Sequence, residues 1–182
     1  MKYFIASDIH GSAFYCNKML EALKNEKADY LVLLGDILYH GPRNDLPKDY
    51  NPKKVIELLN SLTTKIICVR GNCDSEVDQM VLNFPLLATY GVIENNNHLI
   101  YLTHGHVYNK DNLPPIKEND VVLFGHTHVP EFIKQNGIYF INPGSISIPK
   151  NNSYNGYIIL ENGKFIFKDL DMNIKNIKEL DD

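Results

Sequence analysis

Apolar residues come in short continuous runs at the start of the chain, separated by stretches of helical period. "KYFIAS" (2–7), "YLVLLG" (30–35) and "KIICVRG" (65–71) each end on a polar residue or glycine, as expected of strands covered on both faces. Between the first two, residues 13–26 space Phe14, Met19, Leu20 and Leu23 near the helical period, behind Ser12 as N-cap. Residues 52–61 predict a second helix with Pro52 at its first position. This strand–helix alternation predicts an α/β fold with a parallel sheet and right-handed crossovers.

The pattern then changes. "LIYLTHG" (99–105), "VVLFGHTH" (121–128), "EFIKQNGIYFINPGS" (131–145) and "YIILENGKFIFKDL" (157–170) read as strands with short connections, and "QNGI" and "ENGK" carry the Asn-Gly hairpin signal. The expectation is a mixed sheet, or two stacked sheets with helices outside. No linker or repeat divides the chain, so residues 1–182 are expected to form a single domain, with 171–182 a loosely held polar tail. The longest irregular segment, 36–51, follows a strand end directly, where functional loops are found.

Composition narrows the class. The 182 residues are 44% hydrophobic and 22% charged, enough for a full core. No apolar run approaches the roughly 18–20 residues that span a bilayer, and "MKYFIASDIH" is too short in apolar residues for a signal segment. Three cysteines, Cys16, Cys68 and Cys73, form no disulfide framework, so a reducing cytoplasm is expected. A net charge of −4 without a basic stripe argues against an extended nucleic-acid groove, while leaving room for a small phosphorylated substrate. The run "MVLNFPLLATYGVI" (80–93) is apolar enough for a subunit contact, making a homo-oligomer an expectation, and a buried strand explains it equally well.

The chemistry gathers at the strand ends: Asp8 and His10, Asp36, the group Asn72, Cys73 and Asp74, then His104 and His106, and finally His126 and His128. Ligands bind outside the carboxyl ends of strands in open α/β sheets. Residues two apart on extended backbone point to the same side, so Asp8 and His10 are expected to reach one point together. His126 and His128 do the same if their backbone stays extended. Carboxylate plus imidazole without clustered thiolates suits borderline divalent ions. Six or seven such donors exceed one site that must keep an open position, but they suffice for two metals. The inference is a two-metal hydrolytic centre.

In this order "DIHG", "GD", "GNCD", "THGH" and "GHTH" resemble the calcineurin-like metallophosphoesterases. "HGPRN", "VRGNCDSEVDQM" and "NPGSISIPK" make the chain similar to small bacterial phosphodiesterases of the YfcE type. The resemblance spans about residues 3–150. It implies a four-layer αββα sandwich of two mixed sheets flanked by helices. It also implies two divalent cations, manganese first, with nickel, cobalt, iron or zinc as alternatives. It assigns Asp8, His10, Asp36 and His128 to one ion, with Asp36 bridging to a second that also takes Asn72, His104 and His126. A hydroxide between the ions then attacks a small phosphodiester. Cys73, Asp74 and His106 become candidate catalytic residues, and Arg43, Asn44 and His40 candidate substrate contacts. Many members of the wider family carry histidine where this chain has Cys73, a weaker proton donor. A preference for aryl diesters, whose leaving groups need little protonation, is the consequence. The alternatives are a phosphomonoesterase, a nuclease or cyclic-nucleotide phosphodiesterase with the same site, or a protein-binding scaffold like the small subunit of retromer. The intact donor set favours an enzyme.

Overall fold

The computed structural model describes residues 1–181. Strand β1 (Lys2–Ala6) is buried on both faces and pairs in parallel with β2 (Tyr30–Leu33), which pairs in parallel with β3 (Lys65–Cys68). Helix α1 (Ala13–Glu26) makes the first crossover. Ser12 Oγ caps it by accepting the Tyr15 N–H at 3.2 Å, and it ends at Lys27 in left-handed backbone. Helix α2 (Pro52–Asn60) makes the second, with Pro52 at the first turn and Asn51 Oδ1 accepting the Lys54 N–H. A single helical turn, α3 (Glu76–Gln79), is held by a capping box between Ser75 and Asp78.

The second half supplies β4 (Tyr90–Asn95), β5 (His98–Thr103), β6 (Val121–Leu123), β7 (Pro130–Gln135), β8 (Ile138–Pro143), β9 (Gly156–Glu161), β10 (Lys164–Asp169) and β11 (Ile174–Glu179). The first sheet has the order β11-β10-β9-β1-β2-β3 and the second β4-β5-β6-β8-β7. Both are mixed: β5, β6 and β8 run parallel, while β4–β5 and β7–β8 are antiparallel hairpins. Both Asn-Gly turns have positive φ at both residues (51° and 77° at 136–137, 51° and 76° at 162–163), as the tight hairpin turn requires.

Strict alternation sorts the side chains into layers. Phe4, Ala6, Leu31, Leu33, Tyr157 and Ile159 pack under α1 and α2. Their neighbours Tyr3, Ile5, Val32, Leu34, Ile158 and Leu160 face Ile100, Leu102, Val121, Leu123, Tyr139 and Ile141 of the second sheet. The outer face of that sheet carries Val122, Phe124, Ile133, Ile138 and Phe140, and Ile116 from the irregular chain packs against it. The layers are those expected, except that irregular chain from 106–120, rather than a helix, lies outside the second sheet.

Four expectations shift in detail. The third strand ends at Cys68 rather than 71 and the "VVLFGHTH" strand at Leu123 rather than 128, because the backbone turns to deliver polar residues. The polar tail forms β11, an exposed edge strand paired antiparallel with β10. The apolar run 80–93 divides: Leu82, Phe84, Leu86 and Ile93 are buried, while Met80, Val81, Tyr90 and Val92 are exposed. No helix among the described residues is long and apolar enough to cross a membrane.

Candidate metal centre and catalytic cleft

The carboxyl ends of β1, β2, β3, β5 and β6 meet at one edge and are stitched there by main-chain bonds. The Asp8 N–H donates to the Gly35 carbonyl at 3.1 Å, His10 to Asp36 at 2.9 Å, and Gly125 to His104 at 2.9 Å. The chain does not stay extended there. Asp8 (φ 59°), His10 (49°), Asp36 (56°), His126 (66°) and His128 (62°) all adopt left-handed backbone, which overturns the extended-strand reason for their convergence. Such conformations cost on the order of 1–3 kcal/mol each and collect at functional sites. Asp and His tolerate them better than most residues. Ile9, between Asp8 and His10, is buried in the helix-side core.

Close approach does the rest. A Cβ on Gly125 would lie 1.9 Å from Ser7 Oγ and 2.8 Å from Asp8 Oδ2, and one on Gly71 would lie 2.1 Å from Asp36 Oδ1. Only glycine lets these backbones pass the carboxylates.

Hydrogen bonds fix the imidazole tautomers. His10 Nδ1–H donates to the Tyr39 carbonyl at 2.8 Å, His104 Nδ1–H to Leu34 at 2.7 Å, and His128 Nδ1–H to Ile148 at 2.7 Å. A carbonyl only accepts, so each neutral ring presents an Nε2 lone pair inward. The Nε2 atoms of His10 and His128 are 3.3 Å apart, two lone pairs with nothing to offer each other. Asp8 Oδ1, fully buried and without a hydrogen-bond partner, lies 3.2 Å from His128 Nε2 and 3.5 Å from His10 Nε2. Asp36 Oδ2 stands 3.7 Å from His10 Nε2 and 3.3 Å from His104 Nε2. On the far side His104 Nε2 is 3.0 Å from Asn72 Oδ1 and 3.2 Å from His126 Nδ1. Two nests of acceptors thus share one carboxylate oxygen. Lone pairs and anionic oxygens packed this tightly require positive charge among them, so the donor set fits two divalent cations.

Titration shifts express the same crowding. Burial alone would raise the Asp8 carboxyl, yet His10, His128 and His104 outweigh it and hold it well below the usual range. Burial would lower His104, but Asp36 and Asp8 push it up to about 9. His126 and His106 are depressed, by partial desolvation first and then by the charge of His104.

A profile for the calcineurin-like phosphoesterase superfamily domain matches residues 1–164. The chain belongs to that superfamily. It is 48% identical over 162 residues to phosphodiesterase YfcE of Escherichia coli K12, covering 89% of this chain and 88% of that protein. The solved structure of E. coli YfcE, described as a phosphoesterase, superposes with a TM-score of 0.94 at 44% identity over 100% of both chains. Vacuolar protein sorting 29 from Cryptosporidium parvum gives a TM-score of 0.63 at 19% identity over 100% of this chain and 98% of its own, a likeness of fold alone.

Around the donor nests this phosphoesterase domain opens a cleft of about 450 Å³, lined by Asp36, Arg43, Asn44, Asn72, Cys73 and Lys150 among others. Arg43 and Asn44 therefore reach the place expected of substrate contacts. His40 does not: its ring packs edge-on between Tyr39 and Tyr50, and it is absent from the cleft lining. Cys73 lines the cleft with its Sγ 3.3 Å from Asn72 Nδ2. Burial and the neighbouring Asp36 push its pKa up. Asp74 is buried beneath the centre. Its Oδ2 accepts the Asp36 and Gly71 N–H groups at 2.8 and 2.7 Å, and its Oδ1 accepts that of Ile37 at 2.8 Å. Both oxygens are engaged with main chain, away from any substrate. His106 is exposed, with its ring 5.4 Å from His104 and 6.4 Å from His126.

Several supporting residues went unread in the sequence. Ser145 Oγ and Ser147 Oγ both donate to the Asp8 carbonyl at 2.9 and 3.0 Å. Buried Asn142 donates to the Gly125 carbonyl at 2.7 Å and to Thr127 Oγ1 at 3.0 Å, holding the "GHTH" turn. Lys150 adds a cation to the cleft wall. Their signal was the stretch "NPGSISIPK", which carries no titratable side chain except the lysine.

Proposed function

We propose that this chain is a phosphodiesterase that hydrolyses a small phosphodiester to a monoester and an alcohol or phenol. The observation that carries it is Asp36 Oδ2, placed between His10 Nε2 and His104 Nε2 at 3.7 and 3.3 Å, the arrangement of a carboxylate shared by two cations. One cation would be held by Asp8, His10, Asp36 and His128, the other by Asp36, Asn72, His104 and His126. When bound, the pair supplies an activated water at neutral pH and neutralises charge on the phosphoryl oxygens. Manganese suits the mixed oxygen and imidazole donors, with nickel, cobalt, iron or zinc as alternatives.

The chain's own residues do the remainder. Tyr39, Leu34 and Ile148 carbonyls orient the three imidazoles, Asp74 fixes the backbone of Asp36, and Arg43 offers a bidentate donor for a phosphoryl oxygen. Free cysteines at 16, 68 and 73 support a cytoplasmic setting. One domain spanning residues 1–182 carries the reaction, and exposed Met80 and Val81 offer the surface for a homo-oligomer.

The test is hydrolysis of bis-p-nitrophenyl phosphate against p-nitrophenyl phosphate by chelator-stripped protein, with Mn, Ni, Co, Zn and Mg added back in turn. Metal-restored diester hydrolysis that Asp36→Asn abolishes is expected. A faster monoester would reassign the chain as a phosphatase. Inactivity with every metal, in protein that binds two ions, would favour a scaffold.

A further inference from the structure

A second hollow of about 330 Å³ opens beside the cleft and shares His126 and Thr127 with it. Phe124, Val129 and Pro130 give it apolar walls, and Lys110, Asp111 and Glu131 stand among its lining. Lys110 Nζ lies 2.7 Å from Glu131 Oε1 and 6.0 Å from the centroid of the Phe124 ring. It is the one lysine or arginine lining the hollow among the described residues, and its charge is already matched. With Asp111 added, a second phosphate or a carboxylate would find no free cation there.

The wall made by residues 107–112 is braced before any ligand arrives. Asn109 Oδ1 accepts the N–H groups of Asp111 and Asn112 at 2.9 and 3.1 Å, Asn109 Nδ2 donates to the Gly105 carbonyl, and Asn112 Nδ2 donates to that of Val107. A braced hollow saves a ligand the ordering cost of binding. Its size is ample for a ring, since an apolar cavity of about 150 Å³ holds benzene.

We propose that this hollow receives one ester group of the phosphodiester and selects a flat, uncharged aromatic one, with Val129 and Pro130 as its contact surface and the edge of the buried Phe124 ring at its floor. The inference rests on the diesterase reading above and adds to it the kind of ester group that is recognised. Continuity through His126 places the group within reach of a phosphoryl bound at the shared carboxylate. The balanced rim excludes polyphosphates and dianionic groups from the same position.

The test uses the full manganese-loaded chain and titration calorimetry with phenylphosphonate and methylphosphonate, which need no turnover. The wild type is expected to bind the phenyl compound about tenfold more tightly, the scale of one small apolar group in a pocket. Val129→Trp and Asp111→Trp fill the hollow from two separate segments of its lining. Each should bring the ratio to about one, with methylphosphonate affinity and metal content kept. In Val129→Trp the KM for bis-p-nitrophenyl phosphate should rise about tenfold, with kcat little changed. Equal binding of the two phosphonates by the wild type, or a ratio that survives both variants, overturns the proposal. If the wild type hydrolyses no diester with any metal, the diesterase reading falls and the phosphonate ratio still decides the hollow.

Discussion

Asp74 never faces the cleft, yet its Oδ2 accepts the main-chain N–H of Asp36 at 2.8 Å and so sets where the shared carboxylate stands. Two further N–H groups, from Gly71 and Ile37, complete its bonding. Asp74→Asn turns one acceptor into a donor facing an N–H. The expected result is a stability loss of about 1.5–3 kcal/mol, the scale of a buried charged hydrogen bond. Metal affinity should fall roughly 10–100-fold, as for other residues that orient ligands. Urea unfolding of the stripped protein and manganese competition titration measure the two separately. Unchanged metal affinity would show that Asp74 only stabilises the fold.

Gly125→Ala probes the same centre from the other sheet. The added Cβ would meet Ser7 Oγ at 1.9 Å and Asp8 Oδ2 at 2.8 Å, so Asp8 or the "GHTH" turn must move. The variant is expected to lose the ion assigned to Asp8, His10 and His128 while keeping native far-ultraviolet circular dichroism. Elemental analysis of purified protein reads the result. Two ions retained per chain would contradict it.

The stripped protein should have an unusual pH dependence. His104 rises in the folded chain from an ordinary value of 6.5 to about 9, and His10 is also raised. A raised histidine contributes stability that is full below its unfolded value and disappears as pH climbs through its folded one. Metal-free protein is therefore expected to lose on the order of a few kcal/mol between pH 6.5 and 9, seen as a falling Tm. Loaded protein should not follow it, because cations replace those protons. Identical curves for stripped and loaded protein would remove the basis of this reading.

Cys73 lines the cleft, and burial with the neighbouring Asp36 pushes its pKa up, which makes it a weak proton donor to a departing alkoxide. Cys73→His is expected to raise kcat on alkyl diesters by about tenfold or more, the low end or below of general-acid contributions. Aryl diesters, whose leaving groups need less help, should change little. No gain on alkyl esters would count against the thiol as the cause of an aryl preference.

Much of this was legible from residue types alone. Ser12 and Pro52 announced the starts of α1 and α2, and the Asn-Gly pairs at 136–137 and 162–163 announced hairpins, because each residue's local conformational preference coincides with its place in the fold. The aspartates and histidines that crowd together were legible as titratable side chains recurring at strand ends, whereas Asn72 joined them only through the family resemblance. The backbone beneath them was not: a period-two argument assumes the strand continues, whereas Asp8 and His128 turn left-handed. Ser145 and Ser147 act on the Asp8 carbonyl from more than a hundred residues away and Asn142 on the Gly125 carbonyl, and neutral polar side chains give no local sign of such duty. Strand β11 was missed because its exposed residues show no buried face.

The left-handed backbone at Asp8, His10, Asp36, His126 and His128 also restricts what can ever stand at these positions. Asparagine and glycine enter that conformation readily, while valine, isoleucine and threonine do not. A descendant of this chain that gave up metal chemistry could exchange its ligands for asparagine or glycine and keep its shape. An exchange for a branched aliphatic residue would damage the turn as well as the site. Loss of catalysis along this lineage thus has a cheap route and a ruinous one, and the main chain decides between them before any substrate is involved.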